Sequence, residues 1–210
     1  MPGSNSTPTV QYKITRGVFR SSYDITSNGQ PLYHVDNSHW TPGKPDLTFH
    51  TGTSTTGRIA GVSKYRHFSS DAEIGLGDPS QPHTMEWFSL NRDSLMSVRY
   101  TIRMPVSSSD QQPRTFTWKK TRALSSHSGG LKLVDESDRV VAVMSGGRFS
   151  SPAGLLDINV QYGERFQLLV LVSGLAFREK LARARKGAAG AGGGGVGALK
   201  RPAVPYYYIL

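Results

Sequence analysis

The chain contains no cysteine, so disulfides, thiolate zinc sites, iron–sulfur clusters and cysteine nucleophiles are all excluded. Acid is scarce. Fifteen Asp and Glu stand against 25 Lys and Arg in 210 residues, a formal charge of +10. Apolar residues make up 37%, below the share of a uniformly globular chain, which predicts a packed body with polar or glycine-rich ends. No run reaches the ~18 apolar residues of a membrane-spanning helix, and the first residues lack the apolar core of a secretion signal. These absences lead to the expectation of a soluble, intracellular protein, cytoplasmic with the nucleus as an alternative. The length suits one domain with tails better than two domains.

Local catalytic and metal-binding motifs are missing as well. The six histidines (His34, His39, His50, His67, His83 and His127) show no ligand spacing. No Gly-x-Ser-x-Gly elbow occurs, and Ser145-Gly146-Gly147 reads as a loop after a strand. Asp135, Glu136 and Asp138 lack the glycine and terminal glutamate of a calcium loop. Gly52 and Gly57 have the spacing of a phosphate-binding loop, but Arg58 and Ile59 stand where that loop needs Lys and Ser or Thr. The expectation is a protein without cofactor or metal, and not an enzyme.

What is present is a long series of short alternating runs. Strands are predicted over Tyr12–Phe19, Pro31–Asp36, Leu47–His50, Arg58–Arg66, Ala72–Leu76, Thr84–Asn91, Ser97–Met104, Arg114–Lys120, Leu131–Asp135, Arg139–Met144 and Leu155–Tyr162, the rhythm of a β-sandwich or barrel. In Ser97–Met104 the residues Val98, Tyr100, Ile102 and Met104 share one face, and Arg99, Thr101 and Arg103 the other. In Leu155–Tyr162 the apolar face is Leu156, Ile158, Val160 and Tyr162. Asp135 to Asp138 reads as a hairpin turn.

The pattern then changes. From Phe166 to Phe177 the chain is apolar on every side, and Arg178 to Lys186 is rich in Ala, Arg and Lys. The apolar run is too short to cross a bilayer, so it marks a segment surrounded by protein. Good helix formers after it favour a helix; Val170, Val172 and Gly174 leave a strand as the alternative. An eight-stranded barrel is filled by its own side chains, so enclosing a helix ~10 Å across requires a wider one. The predicted fold is all-β with one buried helix: a closed antiparallel barrel of about twelve strands around a C-terminal hydrophobic helix. Residues 1–9 read as a disordered tail, 10–186 as the barrel domain with its helix at about 164–186, and 187–210 as a Gly/Ala-rich linker ending in the aromatic tail Tyr206–Leu210.

This order of elements resembles the Tubby C-terminal-like superfamily, in its fungal and plant LURP-one-related branch. The resemblance spans roughly Val10 to Lys186. It is carried by Arg114-Thr-Phe-Thr-Trp118-Lys119, by Arg139-Val-Val-Ala-Val-Met144 followed by Gly-Gly, and by Gly154-Leu-Leu-Asp-Ile leading into the apolar helix. Tubby domains bind phosphatidylinositol bisphosphate through a Lys-x-Arg on one strand. Lys64-Tyr65-Arg66 is similar in placement, so the resemblance implies a site for anionic lipid headgroups there.

Charge distribution bears on that implication. Arg99 to Arg122 holds six basic residues against Asp110 alone. Lys64 and Arg66 share a strand face, as do Arg99 and Arg103, while Lys119 lies opposite Phe116 and Trp118, with Lys120 and Arg122 at the strand end. If the strands are neighbours, up to seven basic side chains converge; if they lie on opposite sides of the barrel, the patch dissolves. The first expected role is thus a monomeric, non-enzymatic module peripheral to anionic membranes. A second is an interaction scaffold that engages protein partners through the barrel surface and the tail. A third, nucleic-acid binding, follows from the pI near 10.0 but needs Phe116 and Trp118 on the surface, whereas alternation points them inward.

Overall fold

Alternation of apolar and polar residues produces twelve strands, and the apolar run near the C-terminus produces one helix. In the computed structural model the described residues are 9–17, 22–38, 41, 43–66, 69–94, 98–106, 112–121, 130–145 and 153–191. The strands are β1 (Val10–Arg16), β2 (Tyr23–Ser27), β3 (Gln30–Asn37), β4 (Leu47–Thr51), β5 (Ile59–Tyr65), β6 (Ala72–Leu76), β7 (Glu86–Arg92), β8 (Arg99–Met104), β9 (Arg114–Thr121), β10 (Gly130–Val134), β11 (Val140–Ser145) and β12 (Ala153–Ile158); the helix α1 is Glu164–Ala191. Each strand pairs antiparallel with its sequence neighbours, and β1 pairs with β12 from Val10↔Ile158 to Thr15↔Ala153, which closes the barrel. Closure leaves no unpaired sheet edge.

The helix fills the barrel as its composition requires. Leu169, Val170, Leu171, Val172, Leu175, Ala176 and Phe177 are all fully buried. Inward strand residues from around the wall meet them: Ile14, Ile25, Val35, Phe49, Ile74, Leu90, Ile102, Phe116, Trp118, Leu133 and Leu156 belong to the same cluster. Phe116 packs edge-on against Phe166 at 5.2 Å, and Tyr100 against Phe177 at 4.7 Å. Gly174 sets how closely helix and wall approach. A Cβ there would stand 2.8 Å from Trp118 and Met144 atoms. The neighbouring Ser173 hydroxyl accepts the Trp118 indole N–H at 3.1 Å, so the largest core side chain is also satisfied.

Several boundaries differ from the sequence reading. β2 was not among the eleven predicted strands. Its signal is the Asn28-Gly29 pair that follows, both at positive φ (51° and 77°), the turn chemistry of a tight hairpin into β3. β12 ends at Ile158, not Tyr162. Val160 and Tyr162 still pack on the core, but from the connection into the helix, where Tyr162 meets Phe166 edge-on at 5.0 Å. β7 begins at Glu86 because Pro82–Thr84 forms a short 3-10 turn before it. The glycines at 52 and 57 serve the β4–β5 turn: Gly52 has φ +84°, and a Cβ on Gly57 would lie 1.8 Å from the Thr51 carbonyl oxygen. The helix continues five residues beyond Lys186, through Gly187–Ala191, since alanines extend an existing helix readily. The remaining linker, the tail Tyr206–Leu210 and residues 1–8 lie outside the described residues.

Leu171 tests this architecture. Leu171→Asp introduces an unpaired charge into a fully enclosed position, a cost of several kcal/mol against a total stability of about 5–15 kcal/mol. The domain is expected to lose its cooperative thermal transition by circular dichroism. An unchanged melting temperature would place the helix outside the wall.

Candidate functional site

Strand alternation decides where each basic side chain points. In β5 the inward positions include Ser63 and Tyr65, so Lys64 projects outward, and Arg66 follows one residue beyond the strand on the same side. In β8 the buried Tyr100, Ile102 and Met104 leave Arg99 and Arg103 outside. In β9 the fully buried Phe116 and Trp118 place Lys119 outside. Arg99 pairs with Lys119, and Lys119 with Lys132 of β10, giving a transverse row of three cations on adjacent strands. Lys132 was not singled out from sequence, although Leu131 and Leu133 on either side of it carry the signal.

Of the seven basic residues singled out from sequence, the six that are described, Lys64, Arg66, Arg99, Arg103, Lys119 and Lys120, are spread over the wall and its rim. β6 and β7 separate β5 from β8, so Lys64 and Arg103 are about 14 Å apart across the wall. Lys120 has the parity of Phe116 and Trp118, not of Lys119. It sits at the rim of the barrel, where burial and the nearby Arg185 lower its pKa. The structural reason is the same alternation that turns Lys119 outward. Arg122 lies outside the described residues.

Acids divide the remaining wall. Arg66 pairs with Glu73 of β6 at 2.7 Å. Lys119 pairs with Asp138, whose carboxyl is held low chiefly by that hydrogen bond and charge, with Lys132 and Arg99 adding to the effect. Glu136 accepts the Thr115 N–H at 3.0 Å and also feels Arg114 and Arg103. Between the two basic groups stands Trp87, 44% exposed, with the Lys64 ammonium 5.0 Å from its ring centroid. Phe88 packs on the core and Leu90 is fully buried, so Trp87 takes the outward parity. The sequence alternation Trp87, Phe88, Ser89, Leu90 carries that orientation.

A second concentration of charge lies at the end of the barrel where α1 leaves. Successive helix residues turn by about 100° and so face different strands. Glu179 is buried, accepts a hydrogen bond from the Tyr23 hydroxyl, and lies 3.9 Å from both Arg16 and Arg183. Arg183 reaches Asp46 and, at 2.8 Å, the Asn37 side-chain oxygen. Lys180 donates to the Asp71 carbonyl and stands over the Tyr65 ring at 5.3 Å. Burial, above all, pushes its pKa down to about 8. Tyr65 in turn donates to the Ala176 carbonyl at 2.9 Å, and burial raises its pKa well above the ordinary value. These contacts fasten the helix to β1, β2, β3 and β5 at one end of the barrel.

Among the described residues, no group of three or more metal-ligating side chains is assembled, and no helix is long and apolar enough to cross a membrane. His34 instead pairs with Asp24 across β2 and β3 at 2.8 Å. No family model and no curated protein matches the sequence. A solved structure of a protein from Arabidopsis thaliana is similar, with 15% identity over 81% of this chain and 92% of that one, at a TM-score of 0.46.

Lys180 gives a pH signature. Its folded pKa, about 8, lies below the unfolded value of 10.5, so between these limits the unfolded chain binds more protons and stability rises with pH. Above pH 10 the buried tyrosines, with pKa values raised by burial, oppose this trend, because the unfolded chain then ionises first. Between pH 7.5 and 9.5 the two Lys180 values give a rise of about 2 kcal/mol, which solvent screening of a part-exposed ammonium roughly halves, so Lys180→Met is expected to remove about 1 kcal/mol of pH dependence from urea-unfolding free energies. Equal slopes for both proteins would mean that Lys180 is hydrated in the folded state.

Proposed function

We propose that the chain is a non-enzymatic module that binds anionic phospholipid headgroups, phosphoinositides above all, through the outward face of β5–β9. The observation that carries the reading is the projection of Lys64, Arg66, Arg99, Arg103 and Lys119 from one continuous stretch of wall, with exposed Trp87 between the two basic groups. A rigid sheet holds cations in place before the ligand arrives, so little side-chain entropy is lost on binding. Each basic residue at an anionic surface contributes about 1 kcal/mol, and a tryptophan ring favours the headgroup region. Glu73 and Asp138 temper the field, which suits a weak, salt-sensitive contact more than permanent attachment.

Kinship with the Tubby-like superfamily, in its LURP-one-related branch, belongs to the same proposal. The short motifs around Trp118, Met144 and Gly154 support it, as does a twelve-stranded barrel filled by a C-terminal helix. In this reading the Lys64-Tyr65-Arg66 segment is the headgroup contact and Tyr65 its anchor, with the ring turned inward against α1.

Vesicle co-sedimentation tests it. The full chain is expected to pellet with phosphatidylinositol-bisphosphate vesicles at low salt and to be released as ionic strength rises past ~0.15 M. Replacing Lys64 and Arg66 together by Ala removes about 2 kcal/mol, a loss of roughly thirtyfold in affinity. No pelleting at low salt would overturn the reading.

A further inference from the structure

Of the four charged residues that α1 presents to the barrel mouth over 178–183, three have hydrogen-bond or ion-pair partners among the described residues, and one has none. Glu179, Lys180 and Arg183 each meet an oppositely charged group or a carbonyl. Arg178 makes no hydrogen bond or ion pair of its own among the described residues, although a guanidinium carries five N–H donors. It is partly buried, and burial lowers its pKa.

The wall is shaped around it. Arg178 Nη1 lies 2.4 Å from where a Cβ on Gly154 would stand, so any side chain at that position of β12 would displace the guanidinium. Gly154 is the register partner of Ile14, and Arg16 is the next residue of β1 with the same inward parity. Arg16 therefore stands one rung above Arg178, close enough for the two charges to interact. Arg16 has 22% of its side chain exposed, so the pair is open at the mouth. Among the described residues, Glu179 is the carboxylate that acts on both. It already faces Arg16 and Arg183 and receives the Tyr23 hydroxyl. Arg16, Arg178 and Arg183 against Glu179 and Asp46 leave the described groups here positive by one.

We propose that Arg178 and Arg16 form a binding site for one phosphate-type oxyanion at the helix-exit end of the barrel, separate from the outer wall of β5–β9. Two guanidinium forks match the paired oxygens of a tetrahedral oxyanion, and a partly desolvated setting strengthens each charge-assisted hydrogen bond. The bound anion supplies the negative charge that the neighbouring protein groups lack. Free phosphate and a phosphorylated lipid headgroup present the same chemistry to this pair.

The test uses the full chain and inorganic phosphate, with chloride at matched ionic strength as control. Phosphate is expected to raise the melting temperature saturably, and calorimetric titration to show a single site. Arg178→Met should weaken phosphate binding by about tenfold to a hundredfold, the range for loss of charge-assisted hydrogen bonds. Arg178→Lys, which keeps the charge but loses the fork, should weaken it by about tenfold and guards against a folding defect in the first variant. Phosphatidylinositol-bisphosphate vesicles form the second arm. Loss of phosphate binding with vesicle binding retained identifies a free phosphate; loss of both identifies a headgroup. Replacement of Lys64 and Arg66 should leave the phosphate response intact, so failure of the outer-wall reading is separable. A wild-type response to phosphate no greater than to chloride, or full phosphate affinity in both Arg178 variants, overturns the site.

Discussion

A helix with no polar face can exist in water only if something encloses it, and this constraint organises the molecule. From Phe166 to Phe177 every direction around α1 is apolar, so a sheet covering one side would leave the other side wet. The only sheet that covers all sides is a closed one. Closure demands enough strands to leave a bore as wide as a helix, and twelve antiparallel strands provide it. The strands depend on the helix in return, because a barrel of that bore has too much interior for its own side chains to fill. Gly174 against Trp118, with the indole N–H satisfied by Ser173, shows how closely the two surfaces have been fitted.

That interdependence explains which parts were legible in the sequence. Strand parity is strict where one face meets the helix, so Arg99, Arg103 and Lys119 could be assigned outward from Tyr100, Ile102, Phe116 and Trp118 alone. The helix could be inferred from composition, and the barrel from the helix. Elements that owe less to the central packing were harder to see. β2 has only five residues and is announced by its Asn28-Gly29 turn more than by hydrophobic alternation. Tyr162 has the parity of a strand residue but reaches the core from a connection, because a large ring can bury itself without a ladder around it.

The charged side chains separate along the same line. Parity states which face a residue occupies; it does not state which strands adjoin. Lys64 and Arg66 share one strand face in the sequence, as do Arg99 and Arg103, and the two strands between these pairs are predicted as well; only the closed order, with every strand beside its sequence neighbours, sets Lys64 and Arg103 three strand spacings apart. Lys120 shows the opposite case, where parity was available and proximity in sequence to Lys119 hid it. Acidic partners were less legible still. Asp138 and Glu73 come to Lys119 and Arg66 from neighbouring strands and turns, and composition alone suggested a patch more positive than the wall presents.

The transition at Phe177–Arg178 links packing to chemistry. Up to Phe177 the helix must be apolar because the wall surrounds it on every side; beyond that point the wall ends, and each further residue faces a different strand terminus at the rim. Charges placed there are either partly open to water, as Arg16 is, or buried but paired, as Glu179 is with Arg16, Arg183 and the Tyr23 hydroxyl. Where the rim supplies an acceptor, as at Asp46 for Arg183, the charge fastens the helix. Where it presents the backbone of Gly154, as at Arg178, the guanidinium packs against the wall without a hydrogen bond among the described residues. One structural feature, a helix slightly longer than its sheath, thus produces both the contacts that fasten the helix to the rim and a guanidinium that makes no hydrogen bond or ion pair among the described residues.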